Sequence, residues 1–296
     1  MNMKKVSSPL RYPGGKTELG PYIESVIKSN DLQDCHFIEP FAGGASASLH
    51  LLQTGTVSRA TIVEFDPLIY AFWYSVFNFS DELCSIITDT PITIETWNKM
   101  NELRNIEIPV ASQLLYLGFA GLFFNRTNFS GILKAGPIGG QKQESLYKID
   151  CRFNKERIIR TIQFLSHYKD RVEIKWTNSL NYLHELSLSK LVEPTFVYVD
   201  PPYFDKGKAL YRKFFSNEDH VTLSRRLTSL RSPWLLSYDN CPFISNLYSN
   251  SEFALKRQTL FFDYSAGVTK QEKEFLISNL EIPPIEGVKK NPFAVS

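Results

Sequence analysis

The tetrapeptide Asp200-Pro201-Pro202-Tyr203 brings a carboxylate, two residues without backbone N–H groups and an aromatic ring together behind the apolar run 195–199. Proline fixes φ and removes a donor, so the carbonyl of Pro201 should face outward as an acceptor. A carboxylate, a carbonyl and a π-face at one strand end suit a planar ligand with an exocyclic amine, such as N6 of adenine. An ordinary Asp-Pro turn after a strand is the alternative interpretation.

A glycine-rich turn follows an earlier strand. The strand is predicted over residues 36–41, the turn A-G-G-A-S occupies 42–46, and a helical pattern follows over 47–52. Glycine lacks Cβ and permits positive φ, so the backbone of such a turn can approach a ligand closely. The turn lacks the full G-x-G-x-x-G pattern, so NAD is a poor match, and a Gly-Gly turn alone often serves packing.

An acid ends the next strand, predicted over 61–64, and an aromatic-rich helix is predicted over 67–77. Ligands of open α/β sheets bind beyond the carboxyl ends of the strands. Glu64 therefore stands where a carboxylate can accept hydrogen bonds from both hydroxyl groups of a ribose. The order of strand, glycine turn, helix, strand and acid predicts one half of a nucleotide-binding α/β sheet.

The N-terminal motif R-Y-P-G-G-K, residues 11–16, precedes a helix predicted to begin near Thr17. It is an incomplete match to the phosphate-binding P-loop. Two interpretations of Lys16 stay open. It is either a solvated surface lysine, or a lysine directed from a glycine-shaped turn at the carboxylate of a ligand.

The α/β alternation is interrupted between residues 78 and 150. A glycine-rich segment, 125–145, predicts loops and a hairpin there. Helical patterns precede it at 81–88, 93–104 and 110–124. We therefore expect residues 78–150 to form an inserted, mainly helical domain within a core made of 1–77 and 151–296.

The alternation resumes after the insertion. Helices are predicted at 154–168 and 218–230, strands at 172–176, 195–199 and 234–238, and a closing antiparallel pair at 258–262 and 274–278. The chain of 296 residues is 43% hydrophobic, which is ample for the core of one large α/β protein.

Several classes of protein are disfavoured by composition. No apolar run approaches the ~20 residues that span a bilayer, and the N-terminus lacks the apolar stretch of a signal peptide. The four cysteines form no C-x-x-C pair, and the five histidines show no metal-ligand spacing. We expect a cytoplasmic protein with reduced thiols, no membrane contact and no metal site.

Cationic side chains are clustered although the net charge is only +2. The clusters fall within 152–160, 206–213 and 225–231. Clustered cations on a nearly neutral chain are compatible with a surface that follows a phosphate backbone. Solvated helix surfaces would give the same pattern.

Taken together, the motifs resemble those of the Dam-type adenine-N6 DNA methyltransferases (D12 class, group alpha). Four carry the resemblance in the family's order: R-Y-P-G-G-K at 11–16, E-P-F-A-G-G-A at 39–45, E-F-D at 64–66 and D-P-P-Y at 200–203. Three further stretches also match, at 125–131, 235–239 and 273–279. The resemblance implies a class I methyltransferase fold with a Rossmann-like mixed sheet, S-adenosyl-L-methionine (AdoMet) as cofactor, and residues 78–150 as the target-recognition domain.

The resemblance also implies roles for individual residues. Asp200, Pro201, Pro202 and Tyr203 would be catalytic. The cofactor would be contacted by Tyr12, Lys16, Pro40, Phe41, Gly43, Glu64, Asp66 and Asp200. The chain departs from the family pattern at Ala45, where a glycine is usual, and at Glu64, where many relatives have Asp. At 177–179 it has T-N-S where an Asp is common, which puts a contact with the cofactor adenine there in doubt.

The implied chemistry needs neither a metal nor a covalent enzyme intermediate. Acceptors on Asp200 and Pro201 would draw the two N6 protons out of the ring plane, so that the lone pair localises and attacks the sulfonium methyl group. The target base would first be flipped out of double-stranded DNA and stacked on Tyr203.

Recognition of the DNA sequence is expected to reside in the insertion. Arg126 and Asn128 suit guanine and adenine edges and Lys134 suits a phosphate, although Arg126 and Asn128 could equally shape the turn before Gly131. Lys206 and Lys208 are expected to bind DNA from a mobile basic loop, 204–213, that closes over the flipped nucleotide.

Other functions remain as alternatives. Methylation of RNA or of a protein glutamine is one, but the glutamine enzymes have N-P-P-Y, so Asp200 argues against them. A catalytically silent DNA-binding paralogue is another. The enzyme is expected to be a monomer, either solitary or paired with a restriction endonuclease in the same system without stable association.

Overall fold

The computed structural model describes residues 7–11, 19–249, 255–266 and 268–284, and only the backbone between 260 and 273. The predictions for Tyr12, Lys16 and a helix start near Thr17 lie outside the described residues.

A seven-stranded sheet forms the centre of the molecule. In chain order its strands are β1 (His36–Glu39), β2 (Arg59–Glu64), β3 (Val172–Trp176), β4 (Thr195–Val199), β5 (Trp234–Asp239), β6 (Lys256–Ala266) and β7 (Val268–Ser278). The spatial order is β3-β2-β1-β4-β5-β7-β6. The first five strands are parallel, and β7 pairs antiparallel with β5 and β6, which confirms the predicted mixed sheet.

Helices cover both faces of the sheet. They are α1 (Leu19–Ser29), α2 (Ser46–Thr54), α3 (Pro67–Asn78), α4 (Ser80–Asp89), α5 (Ile94–Met100), α6 (Leu114–Thr127), α7 (Lys155–Ser166), α8 (Ser179–Leu188), α9 (Gly207–Leu210), α10 (Asn217–Ser229) and α11 (Pro242–Leu247). In the described part of the chain, none of them is long and apolar enough to cross a membrane.

Four of the five parallel strands, β1, β2, β4 and β5, are buried on both sides, whereas the edge strand β3 is partly exposed. Phe37 and Phe196 pack in one hydrophobic cluster with α1 and α2, whereas Ile38 and Val197 pack in another with α8 and α10. Successive side chains of a strand point to opposite faces, so continuous apolar runs such as 195–199 are what a doubly covered strand requires.

The predicted insertion shares a hydrophobic core with α3. Phe119 and Phe123 of α6 lie in the same cluster as Trp73 of α3. The two helices approach closely because α6 has glycine at the contact. A Cβ placed on Gly121 would lie 2.4 Å from the carbonyl oxygen of Leu68.

Two local predictions are refined by the structure. The helix predicted at 93–104 is α5 followed by a 3₁₀ turn, Asn101–Asn105. The predicted hairpin at 125–145 is a short antiparallel return in which Asn128 pairs with Pro137. No helix was expected over α8, although Asn178 caps it by accepting from the N–H groups of Leu180 and Asn181.

Candidate active site

A cavity of about 320 Å³ opens at the carboxyl ends of β1, β2 and β4. The cavity lies at the topological switch point of the sheet, between β1 and β4, because the chain continues from β1 to β2 on one side and from β4 to β5 on the other. Ligands of open α/β sheets usually bind at such a point. Its walls include Glu39, the turn 41–47, Glu64 and Phe65, Asn178 and Ser179, Asp200 and Pro202, and the segment 211–215. Three of the four sequence motifs therefore meet at one cavity.

The glycine turn is a compact backbone structure with two left-handed residues. Gly43 has φ 47° and Ala45 has φ 49°. The indole N–H of Trp73 donates to the carbonyl of Gly43 at 2.8 Å and holds the turn against α3. Ala45 thus occupies a conformation that normally favours glycine, at the position where the family pattern has one.

Glu64 is held by the backbone around it. Its Oε1 accepts from the N–H groups of Phe65 and Asp66, both at 2.8 Å, and its Oε2 accepts from the N–H of Gly43 at 3.0 Å. Burial nevertheless raises the pKa of Glu64 to about 7. The carboxyl group is therefore fixed against the glycine turn and titrates near neutral pH.

Glu39, at the end of β1, is an acid of the cavity wall that was not assigned a role from the sequence. Its Oε2 accepts from the N–H of Ser48 at 3.1 Å and from the Ser48 hydroxyl. Burial raises the pKa of Glu39 to about 8, with smaller contributions from Asp200 and Glu64. The sequence feature that points to Glu39 is the same one that points to Glu64, because each acid is the last residue of a buried strand.

Asp200 is oriented from β5. The Ser237 hydroxyl donates to Oδ1 of Asp200 at 3.0 Å and also contacts the Tyr198 hydroxyl at 2.9 Å. Pro202 lines the cavity with Asp200, whereas Pro201 and Tyr203 are buried. The four residues of the motif thus divide into a cavity-facing pair and a buried pair.

Two predicted cofactor residues, Pro40 and Asp66, are occupied by contacts within the chain. The Pro40 carbonyl accepts from the Ser179 hydroxyl. Asp66 accepts from the N–H of Leu68 at 2.9 Å, so it caps α3, and pairs with Arg212 at 3.0 Å. Phe41, Gly43, Glu64 and Asp200, the other predicted cofactor residues that are described, all line the cavity.

The segment 204–216, here called the strap, lies between the cavity and the insertion. A guanidinium N–H of Arg212 donates to the carbonyl of Arg104 at 2.5 Å, and Lys213 pairs with Glu107. Lys134 donates to the carbonyls of Lys208 and Tyr211. The structure thus shows the predicted loop fastened to the insertion, with Lys134 bound to the strap.

The remaining predicted DNA contacts differ in exposure. Lys206 and Lys208 are exposed on the strap. Asn128 is fully buried: Oδ1 accepts from the Trp97 indole at 2.7 Å, and Nδ2 donates to the carbonyls of Ile132 at 3.1 Å and Leu133 at 2.9 Å.

Arg126 is also engaged inside the protein. Its guanidinium donates to the carbonyl of Pro9, and burial lowers its pKa to about 10. The polar groups of Arg126 and Asn128 are engaged by contacts within the chain, which favours the interpretation that they shape the turn. The neighbouring Phe129, which sequence reasoning did not single out, is 69% exposed.

Among the residues that the structure describes, no group of three or more His, Cys, Asp or Glu side chains is arranged to hold a metal ion.

The chain is similar to known methyltransferases. A candidate RNA methyltransferase, PH1948 from Pyrococcus horikoshii, matches over 91% of this chain and 84% of its own, with 9% identity and a TM-score of 0.40. The Type II methyltransferase M.CviBI of Paramecium bursaria Chlorella virus NC1A is 27% identical over 254 residues, 81% of this chain and 85% of the relative. The family model of the D12 class N6 adenine-specific DNA methyltransferases matches residues 12–261. The chain, whose centre is a mixed seven-stranded sheet, therefore belongs to the D12 class of N6 adenine-specific DNA methyltransferases.

Proposed function

We propose that the protein methylates N6 of an adenine that is flipped out of a specific sequence in double-stranded DNA, with AdoMet as the methyl donor. The observation that carries the proposal is the convergence of Asp200, Glu64 and the glycine turn on one cavity of about 320 Å³. An acceptor for the amine and a carboxylate suited to a ribose thereby share one site.

The groups that line the cavity fit AdoMet. Glu64 would accept the ribose hydroxyls, with Phe41 and Gly43 beside the cofactor. Glu39, Glu64 and Asp200 surround the cavity with acidic groups, and a cationic ligand favours the ionised form of each. The bound cofactor supplies an electrophilic methyl group on a sulfonium centre.

The chain's own part in the reaction is to activate and position the amine. The hydroxyl of Ser237 donates to Asp200 at 3.0 Å and orients its carboxylate, which would accept a hydrogen bond from one N6–H group. The Pro201 carbonyl would accept a hydrogen bond from the other N6–H group, and the nitrogen lone pair would then localise out of the ring while both protons stay on N6. Positioning and preorganised dipoles can together contribute about 7 kcal/mol to such a step. No general base of high pKa is needed, because the proton can leave after the methyl group has transferred.

The strap would receive the flipped base. Tyr211, Phe214 and Phe215 line the cavity, and the rings of Tyr203 and Tyr211 meet edge to face at 6.5 Å. Unstacking a base costs a few kcal/mol, whereas one base–aromatic stack returns ~1–3 kcal/mol. Aromatic side chains here would therefore recover part of the cost of flipping.

Contact with the duplex would come from the strap and the insertion. Lys206 and Lys208 are exposed cations suited to phosphates, and Lys134 lies beside them through its bonds to the strap. Arg126 and Asn128 would hold the turn that presents Phe129. M.CviBI is named as a Type II methyltransferase, which supports a sequence-specific enzyme, whether paired with a restriction endonuclease or solitary. We expect a monomer without stable association with such a partner.

Methyl transfer from labelled AdoMet to unmethylated genomic DNA tests the proposal, with RNA and total protein as parallel substrates. We expect N6-methyladenine by mass spectrometry, and a loss of at least about 100-fold in Asp200→Ala. Mapping the methylated sites would then give the target sequence. AdoMet binding with label only in RNA or protein would refute the assignment to DNA.

A further inference from the structure

Two acidic residues are paired across neighbouring strands next to the catalytic motif. Asp239 of β5 and Glu274 of β7 are register partners in the antiparallel ladder. Partners directly opposite in such a ladder extend on the same face of the sheet, and like charges in these positions are destabilising. Their placement therefore needs donors nearby to compensate it.

The donors come from three consecutive residues immediately after Pro202. The Tyr203 hydroxyl donates to Oε1 of Glu274 at 3.0 Å. The N–H of Phe204 donates to both oxygens of Asp239, at 3.2 and 3.0 Å, and the N–H of Asp205 donates to Oδ2 at 3.3 Å. The two acids thus hold the chain at the point where it leaves the active site.

Burial protects the hydrogen bond between Tyr203 and Glu274 from water. Glu274 is 2% exposed and Tyr203 is 7% exposed, so little water competes for the hydrogen bond. Burial also raises the pKa of Asp239. The loss of a buried hydrogen bond lowers stability, so displacement of Tyr203 is opposed.

We propose that Asp239 and Glu274 are positioning residues for methyl transfer, which fix residues 203–205 and thereby the acceptors on Asp200 and Pro201. The inference rests on the proposed function. Ser237 supports it from the same face of β5, two residues before Asp239, because it holds Asp200 directly. The motif is therefore anchored at its first residue by Ser237, at its last residue by Glu274, and just after it by Asp239.

A purely structural role makes a different prediction from a positioning role. If the two acids only stabilise the fold, their substitution would lower the free energy of unfolding and would not change the rate of methyl transfer in the folded protein. A positioning pair changes the rate of transfer in protein that is folded and saturated with cofactor, because a small displacement of reacting groups lowers the rate steeply.

The test compares Glu274→Leu, Glu274→Gln, Tyr203→Phe and Asp239→Ala, with Glu173→Gln, a half-exposed glutamate on β3, as a control for the loss of a carboxylate outside the cavity wall. For each variant we would measure AdoMet affinity by calorimetry, the melting temperature and the single-turnover rate on saturating DNA. The fluorescence of 2-aminopurine at the target position would report how the flipped base is held.

We expect Glu274→Leu and Asp239→Ala to slow transfer by about tenfold or more, the scale of one hydrogen bond, while AdoMet affinity stays within about threefold. Glu274→Gln keeps a carbonyl acceptor and should retain most of the rate. Tyr203→Phe removes the same bond as Glu274→Leu, so the double variant should be no slower than the slower single variant. The fluorescence of 2-aminopurine at the target position should differ from that of the wild-type complex in the slow variants only.

Wild-type rates in both Glu274→Leu and Asp239→Ala would overturn the inference alone, as would a loss of rate fully explained by weaker AdoMet binding. If Glu274→Leu does not fold, Tyr203→Phe removes the same contact from the other side, and its wild-type rate would be equally decisive. Absence of DNA methylation by the intact protein would instead refute the proposed function, and the inference with it.

Discussion

The cavity edge of the sheet and the insertion use polar side chains in opposite ways. Glu64 and Asp200 follow buried strands and reach the same cavity, although they are far apart in sequence. Arg126 and Asn128 were selected for their chemistry, and their polar atoms are bound to Pro9, Trp97 and nearby carbonyls.

The difference lies in how the backbone limits where a side chain can point. The carboxyl ends of parallel strands share one edge of a sheet, so an acid that ends a strand has a known destination. The turns of the insertion leave buried carbonyl and indole groups that need partners, and polar side chains supply them. Residue chemistry alone therefore locates an active site better than it locates a recognition surface.

The largest effect is expected where the two regions are joined. Arg212 pairs with Asp66 below the sheet edge and donates to Arg104 in the insertion, with side chains of the pair only 10% and 8% exposed. Arg212→Ala should lower the free energy of unfolding by about 3 kcal/mol, because it leaves a buried carboxylate without its partner. Chemical denaturation measures this loss.

The neighbouring pair provides the control. Lys213 and Glu107 are 32% and 63% exposed, so Lys213→Ala should cost no more than about 1 kcal/mol. Equal losses from the two variants would mean that the buried pair does not join the regions energetically.

The next effect tests whether Asn128 is structural. Asn128→Ala removes three buried hydrogen bonds and should destabilise the protein by about 2 kcal/mol, without changing the preferred DNA sequence. Thermal unfolding and methylation-site mapping measure the two properties. Phe129→Ala is the exposed neighbour for comparison. An unchanged melting temperature with an altered target sequence would return Asn128 to base reading.

A smaller effect concerns the cavity edge and pH. Burial raises the pKa of Glu64 to about 7, and in the proposed function its carboxylate form would accept hydrogen bonds from the two ribose hydroxyls. AdoMet binding would then expel the proton at lower pH, and the affinity should fall about tenfold from about pH 8 to pH 6.

Calorimetry across this range measures the affinity. Glu64→Gln should bind more weakly and lose the part of the pH dependence that comes from this carboxyl group. Glu39→Gln separates the second acid, whose pKa is about 8. An identical pH profile in Glu64→Gln would show that another group is responsible.

The smallest effect concerns the left-handed residue of the glycine turn. Ala45→Gly should stabilise the protein by about 0.5 kcal/mol, since relief of left-handed strain slightly exceeds the added chain entropy of glycine. Ala47→Gly, inside α2, is the matched control and should destabilise by about 1 kcal/mol. Melting temperatures that shift in the same direction would contradict this account of the turn.

Local patterns predicted most strands and helices of the sheet core. Alternating or continuous apolar runs and an acid at the strand end depend on neighbours in sequence, and β2 and β4 were recognised in this way. The pairing of Asp66 with Arg212 was not, because those residues meet only after the sheet has brought together segments 146 positions apart. The register that opposes Asp239 and Glu274 likewise depends on how β7 enters the sheet.

The glycine contact between α3 and α6 limits how the protein can be rebuilt. A Cβ at Gly118 would lie 2.5 Å from the carbonyl oxygen of Ala71, and one at Gly121 is similarly blocked by Leu68. A chimera that imports the insertion of a relative must therefore carry small residues at the same spacing, or exchange α3 as well. The turn after α6 is limited from another side, because a Cβ at Gly131 would lie 2.3 Å from the carbonyl oxygen of Arg11.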